Sequence, residues 1–205
     1  MIILEHEQGS AEWFKSRLAV ATASMFNNVM TSKQLKRAKS AYIYELAAEA
    51  IAKESQQTFT GNEHTERGHE LEPAAAAYYA FMFDADVYET GLCLPYEGAQ
   101  YGCSPDRLVG KDGGLEIKSP ELKTHIKYTV EAKVPDEYLH QVYGCLYVTG
   151  RDWWDFMSYH EQAQPFIIQT SKDDAGYKKW AAAFDVVLPE FIKDLNEIIE
   201  KLRVK

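Results

Sequence analysis

The stretch Ser104-Pro105-Asp106-Arg107-Leu108-Val109-Gly110-Lys111-Asp112-Gly113-Gly114-Leu115-Glu116-Ile117-Lys118 decides how this chain folds and what chemistry it can perform. Asp-Gly between two short apolar runs is a strong hairpin signal. The spacing predicts a strand over residues 108–110, a turn over 111–114 and a returning strand over 115–118. Residues two apart in a strand share a face. Glu116 and Lys118 therefore point one way, while Ile117 turns into the core. Whether Asp106 joins them depends on register. A two-residue Asp112-Gly113 turn sets Asp106 opposite Ser119, on the far face. A three-residue loop over 111–113, with Gly113 left-handed, sets it opposite Lys118. We expect the second register, or a bulge near Asp106 with the same effect.

Two carboxylates beside a lysine suit phosphodiester hydrolysis. Divalent cations neutralise charge on a scissile phosphate and lower the pKa of the attacking water. Mg²⁺ takes few carboxylate oxygens and keeps water and substrate phosphate. Asp106 and Glu116 can supply the carboxylates, and Lys118 can orient the water or stabilise developing charge. An exposed hairpin with charges on its wet face would carry the same short pattern.

At 205 residues and 46% hydrophobic content, one domain spanning residues 1–205 with an ample core is the natural expectation. No apolar run reaches the roughly 18 residues of a membrane span. The start, Met1-Ile2-Ile3-Leu4-Glu5-His6-Glu7, lacks the apolar stretch of a signal peptide. Cys93, Cys103 and Cys145 are odd in number and lack metal-ligand spacing. They read as reduced, partly buried cysteines of a cytosolic protein, too few for an iron–sulfur cluster. A net charge of −9 sits awkwardly with DNA binding, which draws on Lys and Arg. The basic run Lys33-Gln34-Leu35-Lys36-Arg37-Ala38-Lys39 is either a solvated loop or helix start, or a phosphate-contacting segment.

Periodicity predicts helices over 10–18 with Ser10 as cap, 22–30 with Thr22 as cap, and 40–53 with Ser40 as cap. It also predicts a helix over 63–83 kinked or restarted at Pro73, then helices over 121–132, 135–148 and 175–202. In the 135–148 helix, Pro135 takes an early position. Strands are expected around 87–94, 100–103, 153–159 and 166–170, besides the hairpin. This order gives an α/β class, a central mixed β-sheet flanked by helices.

Other residues could carry chemistry. Glu72 lies on the 63–83 helix, where Glu66, Glu70 and Glu72 also suit an ordinary charged face. Gln141 falls beside the apolar stripe of Tyr138, Val142 and Cys145; it is either a satisfied polar residue or a holder of water or phosphate. His140 is a weaker candidate, since a lone His is usually structural. Arg17 with Ser24 could form a phosphate pocket that Ser104 completes, against the plainer reading of a surface Arg and a second-turn Ser. Trp153-Trp154 and Tyr78-Tyr79 suit a core better than a base-stacking platform.

Together these segments resemble the lambda-type phage (alkaline) exonuclease, or YqaJ-like viral recombinase, family of the PD-(D/E)xK nuclease superfamily, over residues 12–191. The resemblance rests on Trp13 to Ser24, Gly68 to Pro73, Cys103 to Asp106, Leu115 to Lys118, Tyr138 to Val148 and the tail Val187 to Ile192. It implies a restriction-endonuclease-like core that digests linear duplex DNA processively from the 5′ end, releasing mononucleotides and leaving a 3′ single strand. It implies two Mg²⁺ ions, with Mn²⁺ as a substitute, held by Asp106, Glu116 and the Ile117 carbonyl. The resemblance further assigns Lys118 to activate water, Glu72 to support the site and Gln141 to orient the nucleophile. It matches Arg17, Ser24 and Ser104 to residues that hold the 5′ phosphate. A homotrimeric ring threaded by DNA, a single-strand annealing partner, and the cytoplasm of a phage's bacterial host are implied too. The two metals imply in-line attack by water and activity favoured at alkaline pH.

The chain departs from the family pattern twice. A further phosphate-binding Arg falls near Gln34, where Lys33, Lys36 or Arg37 would have to substitute. No apolar strand-separating wedge stands upstream of Gly68, where residues 63–67 read Glu-His-Thr-Glu-Arg. Two alternatives compete: a sequence- or structure-specific endonuclease, marked by cutting of closed circular DNA, and a catalytically inactive end-binding protein, marked by a tight metal-independent complex without product.

Overall fold

The computed structural model describes residues 1–54 and 63–203, without the side chains of residues 63–66 and 69. The candidate wedge segment, apart from Arg67, lies outside the described side chains. In chain order the elements are β1 (Ile2–Leu4), α1 (Ala11–Ser16), β2 (Ala21–Thr22), a 3₁₀ helix (Ala23–Asn28), α2 (Tyr42–Ala52) and α3 (Glu63–Phe83). There follow β3 (Val87–Tyr88), β4 (Leu92–Leu94), β5 (Tyr101–Gly102), β6 (Arg107–Val109) and β7 (Gly113–Lys118). The chain closes with α4 (Leu122–Glu131), α5 (Leu139–Thr149), β8 (Trp153–Ser158), β9 (Phe166–Ser171) and α6 (Ala175–Arg203).

Five strands form the central mixed sheet, in the order β3-β6-β7-β8-β9. All neighbours are antiparallel except β7 and β8, which run parallel. A parallel pair needs a long crossover, and α4 with α5 provides it. Two small sheets, β1–β4 and β2–β5, stand beside the central one. β1 is an element the sequence reading missed.

Every residue of β7 but Lys118 is buried, because helices cover both of its faces. On one face, Ala75, Ala76 and Tyr79 of α3 pack on Val109, Leu115, Ile117 and Met157. On the other, Val142, Cys145 and Leu146 of α5 and Trp180, Phe184 and Phe191 of α6 pack with Leu108, Trp154, Phe156 and Phe26. Helix α6 buries Trp180, Phe184, Val187, Leu188, Phe191, Leu195 and Ile199, a stripe at helical spacing. The Trp180 and Phe184 rings stack with centroids 4.5 Å apart. Side chains of this size stabilise by about 1.5–3 kcal/mol each when fully buried, so the face carrying α5 and α6 is the stronger of the two layers.

The hairpin departs from the expected register. Its pairs are Arg107 with Leu115, Leu108 with Gly114 and Val109 with Gly113. The loop is therefore Gly110-Lys111-Asp112, and Gly110, not Gly113, takes the left-handed conformation at φ +50°. Asp106 continues opposite Glu116, two residues from the expected partner, and parity keeps both acids on one face. Gly113 and Gly114 are strand residues rather than turn residues. A Cβ on Gly113 would sit 2.1 Å from the Trp153 indole, and one on Gly114 would sit 2.3 Å from that of Trp154. These glycines make room for the neighbouring indoles.

Other boundaries shift for local reasons. The expected 22–30 helix is a 3₁₀ segment, and Thr22 makes no cap hydrogen bond because its hydroxyl is engaged elsewhere. Ala41 is the N-cap position of α2, although Ser40 Oγ still accepts the Tyr42 N–H at 3.2 Å. Helix α5 begins at Leu139, because residues 135–138 close as a turn through Tyr138 N–H to Pro135 O, 2.9 Å. The expected 87–94 strand splits into β3 and β4 on different sheets. Helix α3 continues through Pro73 and α6 through Pro189. All three cysteines are fully rather than partly buried, and reduced.

Candidate active site

The catalytic candidates gather where β6 and β7 begin to diverge. The Asp106 side chain replaces a ladder partner, its Oδ2 accepting the Ile117 N–H at 2.6 Å. Glu116 is wholly buried. Its Oε1 accepts a short hydrogen bond from Lys118 Nζ, while Oε2 has no hydrogen-bond partner among the described residues. Lys118 Nζ also lies 5.3 Å from the Tyr138 ring centroid. Burial drives the Glu116 carboxyl up to about 8, the Asp106 charge adds to that, and Lys118 opposes it. For Lys118, burial would weaken the charged form, but Glu116 and Asp106 outweigh it and raise the ammonium pKa.

A buried carboxylate oxygen without a donor is costly, and a proton or a cation can relieve it. Among the described residues, no three of His, Cys, Asp and Glu gather as a metal cage. Two carboxylates and nearby backbone oxygen fit a hard cation that completes its shell with water and substrate. The donor set thus suits Mg²⁺ and not a soft metal.

Glu72 and Arg107 form the next layer. Arg107, only 7% exposed, donates to Glu72 Oε1 at 2.6 Å, pairs with Glu89 Oε1 at 3.2 Å and donates to the Asp106 carbonyl. Glu72 therefore reaches the acids from α3 through Arg107, and its charge also contributes to raising Glu116. Gln8 Nε2 donates to Pro105 O at 2.7 Å and to Thr90 O at 3.0 Å, tying the N-terminal segment to the catalytic turn. On the other side stand Tyr138, just before α5, and Cys145 of α5, the latter within the fields of Glu116 and Asp106. Gln141 lies half-buried between them along the helix, with no side-chain hydrogen bond among the described residues.

Arg17, Ser24 and Ser104 are brought together. Arg17 Nη1 donates to Ser104 Oγ at 3.1 Å across 87 residues of sequence, and Nη2 to Thr22 Oγ1 at 3.4 Å. Thr22 Oγ1 is 3.3 Å from Ser24 Oγ. The guanidinium lies 4.2 Å over the Trp13 ring. Burial lowers the Arg17 pKa, with Tyr42 and Glu49 opposing; the Glu49 carboxylate is itself engaged by the Ala19 N–H at 3.1 Å. A half-buried guanidinium whose hydrogen-bond partners are hydroxyls has the chemistry to receive an anion. Ser104 places that pocket two residues from Asp106.

Three further residues escaped the sequence reading. Arg107 had one signal, a second charge directly before the apolar run of a strand. Thr22 and Gln8 had none, since their partners are tertiary. The basic segment also resolves. Arg37 is committed to Asp194 at 3.3 Å and to the Phe191 ring at 4.3 Å, whereas Lys33, Gln34, Lys36 and Lys39 are exposed in a loop. His140 accepts from Trp180 Nε1 at 3.0 Å, and burial lowers its pKa to about 4, a neutral structural histidine. Trp154 and Tyr79 are core, and Trp153 and Tyr78 pack beside them.

The sequence matches the YqaJ-like viral recombinase domain over residues 12–152. Among solved structures, LHK-Exo, an alkaline exonuclease from Laribacter hongkongensis, is 33% identical with a TM-score of 0.77, covering 95% of this chain and 98% of its own. A complex of LHK-Exo with dAMP superposes equally well. A phage-related exonuclease from Haemophilus somnus 129PT, 16% identical, shares the fold at a TM-score of 0.58 over 86% of this chain and 96% of its own. No curated protein matches the sequence.

Proposed function

The chain belongs to the YqaJ-like viral recombinase family, and from that premise we propose that it is a Mg²⁺-dependent exonuclease of linear duplex DNA. In this reading it degrades one strand from a 5′-phosphate end, releases mononucleotides and leaves a 3′ single strand for phage-type recombination. One observation carries the reading: an anion pocket of Arg17, Thr22, Ser24 and Ser104 stands two residues from paired acids and a lysine. A terminal phosphate in the pocket would leave the next phosphodiester beside Asp106 and Glu116.

Asp106, Glu116 and the Ile117 carbonyl would hold the metal. Bound Mg²⁺ would supply charge neutralisation at the phosphate and acidification of the attacking water. Lys118 holds a proton at Nζ, restrains Glu116 and stands ready to orient the water or offset developing charge. Arg107 is a positioning residue, fixing the Asp106 backbone and Glu72. Gln141, half-buried on α5 between Tyr138 and Cys145 in sequence, would orient the nucleophile.

The reading extends to assembly and setting. Phe81, Met82 and Phe83 are 84%, 55% and 53% exposed at the end of α3, an apolar patch that supports contact between copies in a trimeric ring. No helix among the described residues is long and apolar enough to cross a membrane, which accords with action on DNA in a host cell alongside a single-strand annealing protein.

The test is time-resolved digestion of linear duplex labelled separately at each end, with Mg²⁺ and with EDTA. Loss of the 5′ label as mononucleotide, only with metal and only on linear DNA, is the expected result. Internal cuts, 3′ release or no reaction would overturn the reading.

A further inference from the structure

The geometry of the anion pocket depends on a bend of the chain that lies behind it. Arg17 closes α1 and Thr22 ends β2, so residues 18–21 set how the guanidinium meets the hydroxyls. Within that bend Ala19 takes the left-handed backbone at φ +57°, which residues with a Cβ rarely adopt. A groove of about 460 Å³ opens there, bordered by Leu18, Ala19, Glu49 and Ala50. Packing therefore leaves one side of the bend unsupported.

Helix α2 supplies the support through two hydrogen bonds. Glu49 Oε2 accepts the Ala19 N–H at 3.1 Å, and the Tyr42 hydroxyl oxygen accepts the Thr22 N–H at 3.3 Å. The two side chains stand seven residues apart, about two turns, and so leave the same face of α2. Both are buried, Glu49 at 6% exposure and Tyr42 at 2%. Tyr42 also stacks on Phe191 of α6 with centroids 6.2 Å apart, and burial pushes its phenol up to about 12, so it stays neutral. A helix anchored in the core thus grips the bend at both ends.

We infer that Glu49 and Tyr42 are positioning residues that set, from α2, the preference for a 5′-phosphorylated end. The inference rests on the exonuclease reading above. Both act through backbone N–H groups: Glu49 holds Ala19 in its left-handed turn, and Tyr42 fixes the residue whose hydroxyl links Arg17 to Ser24. Burial works against the Arg17 charge, and Tyr42 and Glu49 oppose that effect. A guanidinium is charged at neutral pH without such help, so the hydrogen bond to Ala19, rather than the Glu49 charge, is what the pocket needs. An amide in place of the carboxylate still offers an acceptor oxygen, whereas a methyl group does not.

The experiment compares two linear duplexes that differ only in a 5′ phosphate or a 5′ hydroxyl. Release of the first nucleotide is timed in single turnover for the wild type, Glu49→Ala, Glu49→Gln and Tyr42→Phe, with Mg²⁺ present. The readout is the ratio of the two ends, because a general folding defect slows both alike. Glu49→Ala should lower the phosphate preference roughly fivefold, the net scale of one intramolecular hydrogen bond. Glu49→Gln should retain the preference. Tyr42→Phe keeps its ring on Phe191 and should lower the preference about two- to threefold, which carries the test if circular dichroism shows Glu49→Ala unfolded. An unchanged ratio in Glu49→Ala or Tyr42→Phe would remove that residue from the role. Equal losses in Glu49→Gln and Glu49→Ala would overturn the hydrogen-bond assignment. All three results would leave the exonuclease intact. Equal wild-type rates on the two ends would overturn the pocket, no release would overturn the exonuclease reading, and this inference would fall with either.

Discussion

The acid cluster and the guanidinium pocket lie two residues apart along the chain, yet they are built on opposite electrostatic terms. At the hairpin, Glu116 is buried without enough compensation: Lys118 satisfies one carboxylate oxygen and nothing described satisfies the other. At the pocket, Arg17 is half-buried among hydroxyls that hold its geometry without neutralising it. In the proposed reaction the first would be completed by a cation and the second by an anion. A phosphodiester with its metals supplies both, so the two deficits are complementary.

The largest effect that would break this comparison is at the acids. Glu116→Gln keeps the shape and removes the charge, and turnover of linear duplex should fall on the order of 10³-fold or more. Lys118→Ala should likewise abolish turnover while DNA binding persists in a gel-shift assay. Substantial residual activity in either would remove that residue from its role. Next comes the pocket. A 5′-hydroxyl end should be cut roughly 10–100-fold more slowly than a 5′-phosphate end, the worth of charge-assisted hydrogen bonds. Arg17→Ala should lose that preference, and equal rates on the two ends in the wild type would detach the pocket from the mechanism.

A third test separates the regions by pH. The Glu116 pKa is raised from 4.5 to about 8 in the metal-free protein, first by burial and then by Asp106. Between those values the folded state binds more protons than the unfolded chain, so stability falls as pH rises through the window. The melting temperature of metal-free protein should decline from about pH 5 to 8, and Glu116→Gln should flatten the decline. Arg17 stays charged throughout and contributes no such slope. The smallest effect is expected at Lys33 and Lys36, which are exposed and make no ion pair of their own among the described residues. Replacing both with Ala should weaken duplex binding only a few-fold and lower its salt dependence by up to about two counterions.

What the sequence revealed follows how local each cause is. Asp106, Glu116 and Lys118 share a face by parity alone, which survives a register error of two. Choosing the loop correctly required knowing that Trp153 and Trp154 lie against Gly113 and Gly114, about forty residues away. Helices with long apolar stripes, such as α6, were plain from spacing. The short 3₁₀ segment was not, because its geometry follows from packing against α5. Arg17, Ser24 and Ser104 were joined by resemblance and chemistry, but Thr22, the hydroxyl linking Arg17 to Ser24, was read as a cap because capping is the local use of Thr. Arg107 was overlooked because its partners, Glu72 and Glu89, arrive from α3 and from the segment after β3.

The hydrogen bond from Arg17 to Ser104 has one more consequence. Ser104 and Asp106 are separated by a single proline, whose ring leaves little play, and two residues of chain extend at most about 7 Å. Whatever is gripped at one end is therefore offered to the other at a nearly constant offset, comparable to one nucleotide of an extended strand. In the proposed reaction, that segment is a gauge: the size of the released piece is set by the protein's own backbone, and each cut advances the strand by the same stride.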